Sequence, residues 1–244
     1  MKRKQAKGFT LTELLIVIAI IVVLSAVGIG VGKNILFKAR ASVMANNMKQ
    51  ISSFVTAYAT DNQQMLLPCR GDLEQPDGSF DPDALWHEII LSMMFETTDP
   101  ARFKEESFWD SQELFLENPL FSESASPRGF GPLNPGYGYN LMLPENYRTS
   151  EANPAGDEAT LERTLVPMAY ISDPTRTPIV APADNYYYRY DEAQIDEFET
   201  GTIRGFLVEG RFPVLFIDGH IENVTPQEYL DRRLDEMPLD PDAL

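Results

Sequence analysis

The chain has 244 residues, 43% of them hydrophobic, and a formal net charge of −17. Such a charge repels nucleic-acid backbones, so no nucleic-acid partner is expected. A single cysteine, Cys69, excludes an intrachain disulfide. Only two histidines, His87 and His220, are present, with no glycine-rich phosphate loop and no H-E-x-x-H or G-x-S-x-G pattern, so nothing points to an enzyme.

The chain opens with the cations Lys2, Arg3, Lys4 and Lys7, followed by an apolar run from Phe9 to Gly32. At 1.5 Å per residue that run makes about 36 Å of helix, enough to cross a hydrocarbon core of about 30 Å with some tilt. The positive-inside rule then places residues 1–8 in the cytoplasm and everything after Lys33 on the far side. One carboxylate, Glu13, interrupts the run. A charge at mid-bilayer costs about 2.5–3.5 kcal/mol on insertion scales, so Glu13 calls for a partner, and an amine created by cutting the chain at Gly8 would serve. An ordinary secretory signal would instead place a small-residue cleavage site after its apolar region.

The stretch Gly8-Phe9-Thr10-Leu11-Thr12-Glu13-Leu14-Leu15, with Ile16 to Leu24 behind it, resembles the leader and N-terminal segment of type IV pilins and type II secretion pseudopilins. The resemblance implies cleavage between Gly8 and Phe9 by a prepilin peptidase and N-methylation of Phe9. It also implies pairing of Glu13 with a terminal amine, commonly a neighbouring subunit's, during assembly. The implied partners are the peptidase, other pilin-like subunits, an inner-membrane assembly platform and membrane lipid. The implied location is the inner membrane, with the C-terminal domain periplasmic, and then a filament. Loss of the four leader cations would take the mature charge to −21.

Past Lys33 the apolar residues become periodic: Ile35, Leu36, Ala39, Val43, Met44, Met48, Ile51, Phe54, Val55 and Tyr58 fall at helical spacing. One helix is predicted from about Phe9 to about Gln64, with residues 9–32 in the membrane and 33–66 as an amphipathic continuation. Gly28, Gly30 and Gly32 mark either a point of local melting used in filament packing or a close helix–helix approach. Residues 67–234 then form one periplasmic domain. Within it, Asp81-Pro82 and Asp99-Pro100 read as helix starts, and Gly136-Tyr137-Gly138-Tyr139-Asn140 as a short extended piece. Thr149 to Glu162 reads as a mobile polar loop. Met168–Ile171 and Pro178–Ala181 read as strands whose prolines favour edges. Phe212–Ile217 and His220–Val224 flank Asp218-Gly219, the dipeptide of a type I′ hairpin. Thr225-Pro226-Gln227-Glu228 reads as a capping box, and residues 235–244 as a frayed acidic tail.

The Asp-Gly hairpin is similar to one that closes a group of pilin-like proteins, in which a histidine often precedes the aspartate by ten residues; Val208 stands there in this chain. Two other patterns suggest ligands. Asp77, Asp81 and Asp83, and the stretch Asp184 to Glu199, offer oxygen ligands for Ca2+, although neither has EF-hand spacing and solvated acidic loops are the alternative. Tyr186, Tyr187, Tyr188, Arg189 and Tyr190 could bind a sugar or protein if exposed, or pack as sheet core if buried. The fold expected is α+β: a long N-terminal helix on a small antiparallel sheet, with helix and loop insertions. The function expected is that of a structural filament subunit, with a minor, tip or membrane-anchored adhesive subunit as the alternative.

Overall fold

The computed structural model describes residues 10–74, 80–96, 100–105, 108–109, 115–120, 135–149, 163–188 and 207–232, with residues 26–34, 74, 80–82, 100–101, 146 and 148–149 described by their backbone alone. The long helix predicted from periodicity is α1, Leu11–Asp61, 51 residues without interruption. It stops short of Gln64 because Gln63 and Gln64 turn left-handed, with φ of 55° and 62°. The Gln64 N–H then bonds the Ala59 carbonyl at 2.8 Å, closing the helix end.

The chain divides into two compact units, Met1–Arg40 and Ala41–Leu244. In the first, the apolar side chains of α1 from Leu11 to Leu24 stand in the open, Leu11 at 80% exposure and Val17 at 46%. Among the described residues no helix is long and apolar enough to cross a membrane.

In the second unit the remainder of α1 buries Met44, Met48, Ile51, Val55 and Ala59, spaced three and four apart, in a core shared with a mixed sheet. The fold is α+β. After α1 come β1 (Arg70–Glu74), β2 (Phe80–Leu85) and α2 (Trp86–Phe95). A short 3-10 turn at Pro100–Lys104 follows, then β3 (Tyr137–Asn140), α3 (Met142–Thr149) and a second 3-10 turn at Met168–Tyr170. The chain closes with β4 (Pro178–Pro182), β5 (Tyr187–Tyr188), β6 (Phe212–Phe216), β7 (Ile221–Val224) and α4 (Pro226–Asp231). β1 and β2 form a two-stranded ribbon; the other strands form a sheet in the order β5-β3-β4-β6-β7, antiparallel except for the β3/β5 pair.

Several expectations change. Asp81-Pro82 lies in β2 instead of opening a helix, because β1 supplies a pairing partner and Pro82 falls at the irregular step between Gly71/Ala84 and Leu73/Asp81, where no regular rung is lost. The helix begins at Trp86, with the Glu88 carboxylate accepting the Leu85 N–H at 2.7 Å. Asp99-Pro100 leads only a 3-10 turn. Met168–Tyr170 is a 3-10 turn instead of a strand, because its backbone is claimed by the turn that follows α1: the Met168 N–H donates to the Gln64 carbonyl at 2.8 Å. β4 is central, not an edge; Pro178 and Pro182 are its terminal residues, where a missing N–H breaks no interior rung.

The Asp-Gly hairpin forms with a different turn. Gly219 alone has positive φ, +89°, its N–H donates to the Phe216 carbonyl at 2.9 Å, and the Phe216 N–H donates to the His220 carbonyl at 3.0 Å. This is a three-residue loop closed by glycine instead of a type I′ turn, which needs positive φ at Asp218 as well. The capping box of α4 is as read: Thr225 Oγ1 accepts the Glu228 N–H at 3.0 Å and Glu228 accepts the Thr225 N–H at 2.9 Å. Residues 150–162 and 235–244 lie outside the described residues.

Candidate functional site

The first turn of α1 begins with Thr10-Leu11-Thr12-Glu13, a threonine at the N-cap with a glutamate three residues on. Thr10 donates twice to Glu13 Oε2, from its N–H at 2.9 Å and its hydroxyl at 2.7 Å, while the Glu13 N–H donates to Thr10 Oγ1 at 3.3 Å. Glu13 is therefore the N3 member of a capping box, satisfying donors that a helix start leaves orphaned. Sequence reading weighed Glu13 for its charge and missed this second role, although the T-x-x-E spacing is its signal. Because the carboxylate folds back along its own helix, it sits beside the residue that follows Phe9. Gly8 and Phe9 themselves lie outside the described residues.

Next to this start, Leu15, Ile16, Ala19, Ile20, Val23 and Leu24 line a shallow, wholly apolar groove of about 370 Å³, with Ala19 leaving room between larger neighbours. Along the same helix, α1 continues through Gly28, Gly30 and Gly32 without a break in its helical backbone.

The tyrosine run is split by the strand it enters. Tyr188 is buried at 3% exposure, Tyr186 and Tyr187 are half-buried, and Arg189 and Tyr190 lie outside the described residues. The arginine that meets these rings is Arg70, which donates to the Tyr186 hydroxyl at 2.9 Å and stands 5.5 Å from that ring's centre. Trp86 Nε1 donates to the Tyr186 carbonyl at 2.6 Å. Gly138 allows β3 to run this close to β5, since a Cβ there would lie 2.7 Å from the Tyr187 backbone. These contacts, made by residues far apart in sequence, join Tyr186 and Tyr187 to the fold.

Of the acidic residues considered for Ca2+, Asp77 and the Asp81 side chain lie outside the described residues. Asp83 is paired with Arg163 at 2.7 Å and Arg70 at 3.5 Å, and the Arg163 hydrogen bond holds its carboxyl below the usual range. Among the described residues no group of three or more His, Cys, Asp or Glu is placed to hold a metal ion. His220 hydrogen-bonds Asp218 and stacks on Phe216 with ring centres 4.3 Å apart, while His87 is buried edge-on to Trp86 and Trp109.

No curated protein and no solved structure matches the chain significantly. Residues 3–29, which hold the basic leader, Glu13 with its cap and the apolar groove, match the family model described as the prokaryotic N-terminal methylation motif, so the chain carries the prepilin signal of type IV pilins and pseudopilins.

Proposed function

We propose that this chain is a structural subunit of a type II secretion pseudopilus or a type IV pilus-like filament. A prepilin peptidase cuts between Gly8 and Phe9 and the new terminus is methylated. The subunit waits in the inner membrane through Phe9–Gly32, its domain on the periplasmic side, until an assembly platform draws it into the filament. Its activity is assembly, not catalysis.

The observation that carries this reading is the matched motif on a helix whose described apolar side chains from Leu11 to Leu24 stand exposed. Each large aliphatic side chain left in water forgoes about 1.5–3 kcal/mol of burial, so the run from Leu11 to Leu24 demands lipid, other subunits, or each in turn. Glu13 fits such an exchange. Its capping box satisfies it in the single subunit, and a neighbour's Phe9 amine offers the same carboxylate a charged donor in the filament. Gly28, Gly30 and Gly32 supply weak helix at the point where packing would ask it to yield.

Intact mass and N-terminal sequencing of protein recovered from membranes, with and without a prepilin peptidase, test the proposal. A start at N-methyl-Phe9 only when the peptidase is present is the expected result. An unprocessed Met1 start in both cases would leave a simple membrane-anchored protein and sink the filament reading.

A further inference from the structure

Charge is segregated along this chain. From Leu14 to Thr60, nearly all of α1, there are four cations, Lys33, Lys38, Arg40 and Lys49, and no acid. Of the 37 acids in the chain only Glu13 precedes Asp61; of the 20 cations four lie in the leader and these four in α1. Residues 61–244 therefore hold 36 acids against 12 cations, a net of −24.

The described arginines of that acidic part are engaged within it. Arg70 and Arg163 hold Asp83, Arg211 pairs with Glu228 at 2.9 Å, and Arg232 pairs with Glu222 at 2.7 Å. Arg176 donates to the Arg232 carbonyl at 3.0 Å, and the Arg102 guanidinium lies 5.3–5.7 Å from the ring centres of Phe95, Phe103 and Phe108. Lys38, Arg40 and Lys49 are exposed, and among the described residues no ion pair involves Arg40 or Lys49.

We propose that the acid-free basic stretch of α1 carrying Lys38, Arg40 and Lys49 docks the acidic outer domain of a second copy of this chain. The inference rests on the assembly reading and names the polar contact that would accompany it. Identical copies each carry a surplus of 24 negative charges beyond residue 60, so side-by-side packing of domains alone is repulsive, and a basic helix offers the complementary face. Anionic lipid headgroups fit less well. They would meet the cations but leave the acidic surplus beyond residue 60 of each copy without a complement. The contact lies between solvent-facing charges, so it should weaken as the screening length falls from about 8 Å at physiological salt to about 3 Å at 1 M.

The test uses the full chain, expressed with its peptidase and assembly partners, as a mixture of isotopically light and heavy copies treated with a zero-length carbodiimide. The expected products are mixed-isotope amide links joining Lys38 or Lys49 of one copy to an Asp or Glu beyond residue 60 of another. The Lys38→Glu/Lys49→Glu double variant should lower filament yield by about tenfold or more, with Lys38→Arg/Lys49→Arg near wild type. Links confined to single chains overturn the inference, as does undiminished filament yield from the charge-reversed variant. Undiminished yield together with weaker retention on phosphatidylglycerol vesicles would assign the lysines to lipid instead. Absence of filaments from the wild-type chain overturns the assembly reading and this inference with it. Should the reversed variant misfold, the wild-type cross-links decide.

Discussion

Two stretches of one helix meet opposite fates. Residues 11–25 of α1 leave their leucines and isoleucines in the open, whereas residues 44–59 bury Met44, Met48, Ile51, Val55 and Ala59 against the sheet and its loops. Both stretches are helical and both are rich in apolar residues, so helix formation does not separate them. What separates them is where the complementary surface comes from. The C-terminal stretch alternates apolar with polar positions and finds its cover inside the chain. Beyond Glu13 the N-terminal stretch is apolar on every side through Leu24 and stands exposed, which is what a helix meant for lipid or for other subunits looks like.

The largest expected effect breaks the N-terminal side alone. Glu13→Ala should leave the outer domain folded and the chain in the membrane fraction while filament yield falls about tenfold or more, the loss expected when a charged partner is left without its counterpart. Glu13→Gln sharpens this, because glutamine keeps the N3 role of the capping box but carries no charge. If the Gln variant assembles like wild type, the cap matters and the charge pairing does not.

Met48→Ala strikes the other side. The residue is completely buried, so the substitution should cost about 2–5 kcal/mol, read as a shift in the urea midpoint of the domain's unfolding, with processing at Gly8 unchanged. A smaller loss is expected at the hairpin that leans on α1. Gly219 has φ of +89°, and a Cβ there would lie 2.8 Å from Ser52 Oγ. Gly219→Ala should cost about 1–2 kcal/mol from the backbone term, and Ser52→Gly in the same chain should relieve only the contact, not the strain.

The smallest effect is a pH dependence at α4. The Thr225 N–H and then Arg211 hold the Glu228 carboxyl below its ordinary range. A folded-state value below the unfolded one means that the contribution is present above the ordinary carboxylate range and is lost as pH falls through the folded value. Glu228→Gln should therefore flatten the acid limb of the stability profile slightly, with no change at neutral pH beyond the lost ion pair. An unchanged acid limb would show that the capping box survives protonation.

Legibility in the sequence followed the range of the interactions. The processing motif, the long helix, the α4 capping box and the Asp-Gly hairpin could be read because each depends on neighbours within a few residues. The errors share one cause. Asp81-Pro82 carries the local chemistry of a helix start, but β1 offered pairing that the local signal could not register. Met168–Ile171 has strand-like composition, but the turn that follows α1 took its backbone bonds. α3 was missed behind Pro144, which its first turn tolerates, and the Asn140 side chain, whose Oδ1 accepts the Met142 N–H at 3.0 Å, was the quieter signal. The guanidinium on Tyr186 belongs to Arg70, 116 residues away, a pairing that no local pattern announces.

The sequence alone determined the N-terminal signal, the unbroken helix and the charge segregation, because a cleavage motif, a 3.6-residue period and a count of charges are properties of the chain itself. Tertiary structure alone decided which tyrosines are buried, that β4 lies at the centre of the sheet and that Asp83 serves two arginines. Those outcomes turn on which distant groups reach a given donor, acceptor or apolar face first, and that competition is settled only when the chain has folded.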